Sequence, residues 1–248
     1  MTEALMGTYA VFYREMLIFK YKLMRLGYVF YSVSTPILYL LAFGLGFGSR
    51  VQIPDYGAFL IQGIVCMSSM TNSFNMVSVS VGMGRLHSGE FQTVLTSPVK
   101  ASAIMRGLVL SGVVRGLFAS TMILLAGLFV FHVFPFTFVA FVALVLNTAF
   151  FSAAGVIIGV VIDDMENHAV LTNFIIMPMA FFSGTFYPVD FLPDWLQKLV
   201  WLLPLSHANK LIRVGELNAE TLPSFILLLG LTAVCFTAGV VMLDRYNE

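Results

Sequence analysis

The chain has 248 residues, of which 59% are apolar and only 10% charged, whereas soluble domains carry about 25% charged residues. So few charges cannot cover the surface of a water-soluble fold of this length, and lipid removes that demand. Its 13 basic and 13 acidic side chains cancel, which argues against a nucleic-acid partner recruited by net charge.

In chain order, residues 4–25 come first. They mix aromatic side chains with Arg14, Glu15, Lys20, Lys22 and Arg25. This pattern predicts an amphipathic helix lying on the inner membrane face. No short apolar core followed by a small-residue cleavage site marks it as a signal peptide.

A bilayer span needs about 20 mostly apolar residues. Six stretches meet that length: 27–47, 57–81, 103–131, 134–162, 169–187 and 222–243. Lipid offers open backbone groups no partner, so each is expected to be helical. The alternation of an outer-membrane barrel strand is absent. Spans three and four are long enough to tilt or to protrude into water. The expected fold is therefore an all-α membrane protein with six transmembrane helices, a single domain over residues 1–248.

Lys and Arg in the connections set the orientation. With the N-terminus in the cytoplasm, the inside holds Arg14, Lys20, Lys22, Arg25, Arg85, Lys100, Arg106 and Arg245. The outside holds Arg50, Lys198, Lys210 and Arg213. The bias predicts that both termini are cytoplasmic.

Two connections are more than turns. Residues 82–102, on the cytoplasmic side, are polar and end in Ser97-Pro98. Residues 188–221, on the outer side, carry Trp195, Leu196, Leu199, Val200 and Leu203 at helical spacing between Pro193 and Pro204. That stretch is too apolar for a solvated loop and too short to span. It reads as a re-entrant or interfacial helical hairpin with Trp195 and Trp201 at headgroup depth.

Candidate chemistry is sparse. No lysine follows a glycine-rich phosphate loop, so any ATP-driven step needs another polypeptide. Gly44, Gly46 and Gly48 close a span and read as close packing or a flexible exit rather than a phosphate loop. Cys66 and Cys235 sit alone in apolar runs and read as inert thiols. His87, His132 and His168 stand at span ends without ligand spacing, so no metal site is expected. Ser183 and His207 could form a nucleophilic dyad only within hydrogen-bond reach at a hydrated pocket. Arg115 lies inside the third span, where an arginine costs about 2.5–3.5 kcal/mol to insert. It must therefore face the bundle or a hydrated cavity, either as a partner to substrate or to an acid, or as a structural hydrogen bond. Gln62, Ser69, Asn72, Ser73, Asn75 and Ser80 form a polar stripe on span two, for interhelical bonding or for lining a pathway.

From Phe181 the chain reads Phe-Phe-Ser-Gly-Thr-Phe-Tyr-Pro-Val-Asp-Phe-Leu-Pro-Asp-Trp, then Leu203-Pro-Leu-Ser-His and on to Arg213. This resembles the signature of ABC-2 type transporter permeases. The Pro-Leu-Ser-His variant is most similar to the branch of nodulation lipo-oligosaccharide, drug, lipid and polysaccharide exporters. Residues 89–99, ending Val-Leu-Thr-Ser-Pro-Val, resemble that family's cytoplasmic coupling segment. The family usually has a glutamate where this chain has Gln92.

The resemblance implies a type V exporter-like half-transporter in a bacterial inner membrane. Two copies of this chain would form the pore, and two copies of a separate ATPase, which bind ATP and Mg, would dock beneath it. Arg85, Glu90, Phe91, Gln92, Leu95 and Pro98 would couple to the ATPase, with Glu15 linking the first helix to that segment. Asn72, Asn75, Arg115 and Asn173 would line the substrate path between spans two and five. Ser183, Gly184, Pro188, Leu192, Pro193, Trp195, Pro204, His207 and Arg213 would shape the outer gate. The cargo would be an amphiphile (a lipid, a glycolipid or oligosaccharide, or a drug) moved outward, with membrane lipid as a further partner. The alternatives are an intramembrane serine hydrolase using Ser183 and His207, and an ATP-independent channel.

Overall fold

The computed structural model describes residues 2–24, 26–47, 53–132, 134 and 136–246, and every element among them is helical. Arg25, Gly48 and Arg50 lie outside the described residues. Helices α1 (Thr2–Leu23), α2 (Leu26–Phe47), α3 (Tyr56–Leu86), α4 (Glu90–Leu95), α5 (Ala101–Phe131) and α6 (Phe138–Val161) make the first two thirds. Next comes a rod of α7 (Met165–Leu171), a π-helical turn (Thr172–Ile176) and α8 (Met177–Phe182). A 3-10 turn (Val189–Phe191), α9 (Asp194–Val200), α10 (Pro204–Val214) and α11 (Leu222–Tyr246) complete the chain.

Three of these helices, α5, α6 and α11, are long and apolar enough to cross a membrane. In α2 the apolar stretch among the described residues is Val33–Gly46. Helix α3 has 31 residues, about 46 Å at 1.5 Å per residue, but carries serines and asparagines along its length. It is the centre of the bundle and packs against both α5 and α6. This accounts for part of its polar stripe: Ser69 and Ser80 hydrogen-bond to side chains of α6 and α1. Small residues let the backbones approach. A Cβ at Gly155 of α6 would sit 2.8 Å from the Phe74 carbonyl oxygen of α3, so only glycine fits that crossing.

Helix α1 buries one narrow stripe, Gly7, Val11, Glu15 and Phe19, at a strict four-residue spacing. That spacing puts all four on one face, and the face lies on α5. Phe19 meets Phe118 edge to face at 5.6 Å. The chain leaves α3 through Gly89, whose φ of 67° suits a residue without a Cβ. It then folds α4 back so that Phe91 and Leu95 join a core cluster with Val11, Ile104 and Leu108.

The rod is irregular for a physical reason. Pro178 stands in the first turn of α8 and has no N–H to donate. The wider π turn immediately before it absorbs the missing bond. Such turns are frequent where a helix borders a functional site.

Candidate functional site

Four helices meet at one buried charge cluster. Glu15 is 1% exposed and Arg115 3%. Arg115 Nη2 donates to Glu15 Oε2 at 2.8 Å and to the Glu15 carbonyl oxygen, also at 2.8 Å. The Ser80 hydroxyl donates to the same Oε2 at 3.0 Å. Arg14 Nη1 donates to Glu15 Oε1 at 2.9 Å, and its Nη2 reaches Glu90 Oε2 at 2.6 Å. Arg115 Nη1 points to the Met76 carbonyl oxygen at 3.4 Å, and its guanidinium lies 5.7 Å from the centre of the Phe19 ring. The cluster thus ties α1 to α3, α4 and α5. Isolated, either buried charge would be costly, and the pairing with several hydrogen bonds offsets that cost.

The other coupling candidates divide between two faces of α4 and its flanks. Phe91 and Leu95 point into the bundle. Glu90, Gln92, Thr93 and Thr96 face outward, as does Pro98 after the helix. Gln92 Nε2 donates to the Arg85 carbonyl oxygen at 2.9 Å, closing the bend between α3 and α4. The Arg85 guanidinium lies 6.0 Å from the Tyr246 ring.

A cavity of about 600 Å³ opens between α2, α3 and the rod, within the range of small-molecule sites. It brings together Asn72, Asn75 and Asn173 from the predicted path. Thr172 donates to Asn75 Oδ1 at 3.5 Å, and Asn72 Nδ2 to the Ser68 carbonyl oxygen at 3.0 Å. Arg115 is not among the lining residues; it points to Glu15 instead. The lining includes Lys22, Tyr39, His168 and Phe181, which the sequence reading had not assigned to a path. One local signal pointed to these walls: Pro36 and Pro178 each interrupt an apolar stretch. His168 Nε2 is 2.6 Å from the Ser78 hydroxyl. Burial lowers the Lys22 ammonium below the ordinary lysine value; the Arg115 charge adds to this and Glu15 opposes it.

At the other end of the bundle, the segment after α8 is held by its carbonyls. The chain turns at Gly184, where φ is 78°. Arg213 of α10 donates from Nη2 to the Gly184 carbonyl oxygen, and its guanidinium stacks 3.6 Å from the centre of the Phe59 ring. Asn209 Nδ2 donates to the Ser183 carbonyl oxygen at 2.9 Å, and the Tyr56 hydroxyl to that of Phe186 at 3.1 Å. The Ser-Gly and the later arginine of the sequence motif are therefore partners in one lock. Pro204 starts α10 as its first residue, where its missing N–H costs nothing. Pro188, Leu192 and Pro193 lie in the partly exposed approach to α9, and Trp195 projects outward at 64% exposure.

Ser183 and His207 do not form a dyad. His207 Nδ1 is 3.1 Å from the Ser224 hydroxyl and Nε2 is 2.8 Å from the Trp201 carbonyl oxygen. The Ser183 hydroxyl is buried and has no hydrogen-bond partner among the described residues. A nucleophile needs a base within reach, and both ring nitrogens of this histidine are engaged elsewhere.

The family model described as ABC-2 type transporter matches residues 7–217. The chain is 32% identical to the inner membrane transport permease YadH of Escherichia coli K12, covering 77% of this chain and 76% of that one. It is also 27% identical to nodulation protein J of Sinorhizobium fredii, over 84% of this chain and 79% of the relative. Nodulation protein J of Neorhizobium galegae is 27% identical over 82% and 78%.

Proposed function

Because the chain belongs to the ABC-2 type transporter family, we propose that it is the membrane-spanning subunit of an exporter driven by a separate ATPase. In this reading α2, α3, α5, α6, the α7–α8 rod and α11 are six spans of a bacterial inner membrane protein. Helix α1 lies on the cytoplasmic face, where both termini also lie, and α9 with α10 forms a re-entrant hairpin on the outer side. Two copies pair around the substrate path, and two ATPase subunits hold ATP and Mg below. The name of the Escherichia coli relative, an inner membrane transport permease, supports the location.

The observation that carries the reading is an unbroken line of contacts from α4 to the cavity wall. Closure of the ATPase pair pushes the outward face of α4, at Glu90, Gln92, Thr93 and Thr96. Phe91 and Leu95 seat α4 in the bundle, so it moves as one body with the end of α3. The Arg14–Glu90 pair passes the displacement to α1, and the Glu15–Arg115 pair passes it to α5. Ser80 and the Met76 carbonyl return it to α3, where Asn75, next to Met76, and Asn72, one turn before it, stand on the cavity wall. Close-packed interiors transmit such shifts because they hardly compress. Outward movement of an amphiphile through the cavity then needs release of the Arg213 lock at the far end.

The test is reconstitution. The permease should co-purify with a nucleotide-binding subunit, and proteoliposomes holding both should move a lipid-like substrate only with ATP. Transport that ignores ATP and needs no second subunit would overturn the reading in favour of a channel.

A further inference from the structure

The cavity has a direction. At the α4 end its wall carries Lys22, Asn75, His168 and Thr172 beside the apolar Met76, Val79 and Ala169; at the far end it carries Met67, Tyr39, Met177 and Phe181. The order follows from helix geometry. Helix α3 runs toward α4 and the rod runs away from it, so their polar residues coincide at one end. The rings of Tyr39 and Phe181 meet edge to face at 5.7 Å, closing the apolar end.

The polar end also has a sign. Among the described lining residues none is acidic, and Lys22 is the one lysine or arginine. The nearby Glu15 carboxylate is already taken up by Arg115, Arg14 and Ser80. Lys22 itself makes no hydrogen bond or ion pair among the described residues. It is half-buried, and a half-desolvated ammonium without a hydrogen-bonding partner is costly. Asn173, also on the wall, makes no side-chain hydrogen bond among the described residues.

We propose that this cavity is a binding subsite for an anionic amphiphile, with Lys22 holding a phosphate or carboxylate head, the amides of Asn72, Asn75 and Asn173 facing its polar neck, and Tyr39 and Phe181 taking the tail. The proposal rests on the exporter reading and narrows its cargo. It sets a negative head against the cationic head of many hydrophobic drugs. Head-first placement at the α4 end suits loading from the inner leaflet, where such a head already faces the cytoplasm.

The experiment measures binding to the purified permease in phosphatidylcholine nanodiscs, without an ATPase. Three probes share one fluorescent dodecyl tail and end in a phosphate, a hydroxyl or a trimethylammonium. The phosphate probe should bind roughly tenfold more tightly than the ammonium probe, as one charge-assisted contact supplies. Lys22→Met should remove that preference, Lys22→Arg should keep it, and Phe181→Ala should weaken all three probes alike. Equal or tighter binding of the ammonium probe overturns the proposal, as does a preference that survives Lys22→Met with hydroxyl-probe binding intact. Competition with phosphatidylglycerol in the nanodisc separates the sources of the head. Displacement identifies a membrane phospholipid as the anionic occupant, and persistence reserves the site for a dedicated anionic cargo. Since no ATPase is present, a failure here leaves ATP-driven export to be judged by the reconstitution, and the converse holds too.

Discussion

Arg115 and Glu15, 100 residues apart in the chain, form a buried ion pair at 2.8 Å. The pair docks α1 on α5 and supplies the counter-charge an arginine inside an apolar helix requires. It also explains why α1 carries an acidic residue in the centre of its otherwise apolar contact stripe.

Removing Glu15 alone should therefore be worse than removing both partners. Glu15→Leu leaves Arg115 as an uncompensated buried charge and should cost about 3–5 kcal/mol, whereas Arg115→Leu should cost less, because Arg14 and Ser80 still hold the Glu15 carboxylate. The double variant should recover most of that loss. Thermal unfolding in detergent measures all three, and additive losses would show that the two side chains do not act as a pair.

The outer link of the same cluster behaves differently. Glu90 is 59% exposed in its pair with Arg14, so Arg14→Gln or Glu90→Gln should change stability by less than about 1 kcal/mol. Each should still lower ATP-driven transport, and the double variant should lower it no further than the worse single one. Full transport in both single variants would remove this pair from the coupling line.

Gly63 faces the segment held by Arg213. A Cβ there would collide with the Thr185 carbonyl oxygen, a backbone atom that cannot swing aside. Gly63→Ala should cost about 1–3 kcal/mol. Gly230, where a Cβ meets nothing within 4 Å, serves as the control; Gly230→Ala should be neutral or slightly stabilising through helix propensity. Equal melting temperatures for the two variants would contradict the packing at Gly63.

Ser183→Ala removes a buried hydroxyl that has no partner among the described residues. It should leave transport intact and hold or raise thermal stability, because an unsatisfied polar atom is lost. A fluorophosphonate probe should not label the protein. Labelling that disappears in Ser183→Ala would restore a nucleophilic role.

The legible part of this protein follows from local properties. An apolar run of 20 residues declares a helix wherever it sits in the chain, and proline and glycine punctuate its ends. So the helical class and the helices between Pro193 and Arg213 could be read from residue order alone, whereas residues 82–102 read only as a polar connection and in fact contain the end of α3 and the short helix α4. The asparagines of the cavity were legible too, because polar side chains in an apolar helix need a partner or a hydrated wall. The stripe on α3 could not be divided in advance: Ser80 bonds Glu15, and Ser69 accepts from Asn147 at 2.7 Å, while Asn72 and Asn75 face the cavity.

Composition and spacing by themselves established a helical membrane protein with two unusual connections, and the motif at Ser183-Gly184 pointed to its family. Tertiary structure alone decided which side chains meet. It turned Arg115 from the cavity to Glu15, gave His207 to Ser224 and Trp201, and left Lys22 on the cavity wall without a hydrogen bond or ion pair among the described residues. The reason is range. Hydrophobic periodicity is set by residues three or four apart, whereas a charge is satisfied by whatever helix folding brings beside it, and that helix can be 100 residues away.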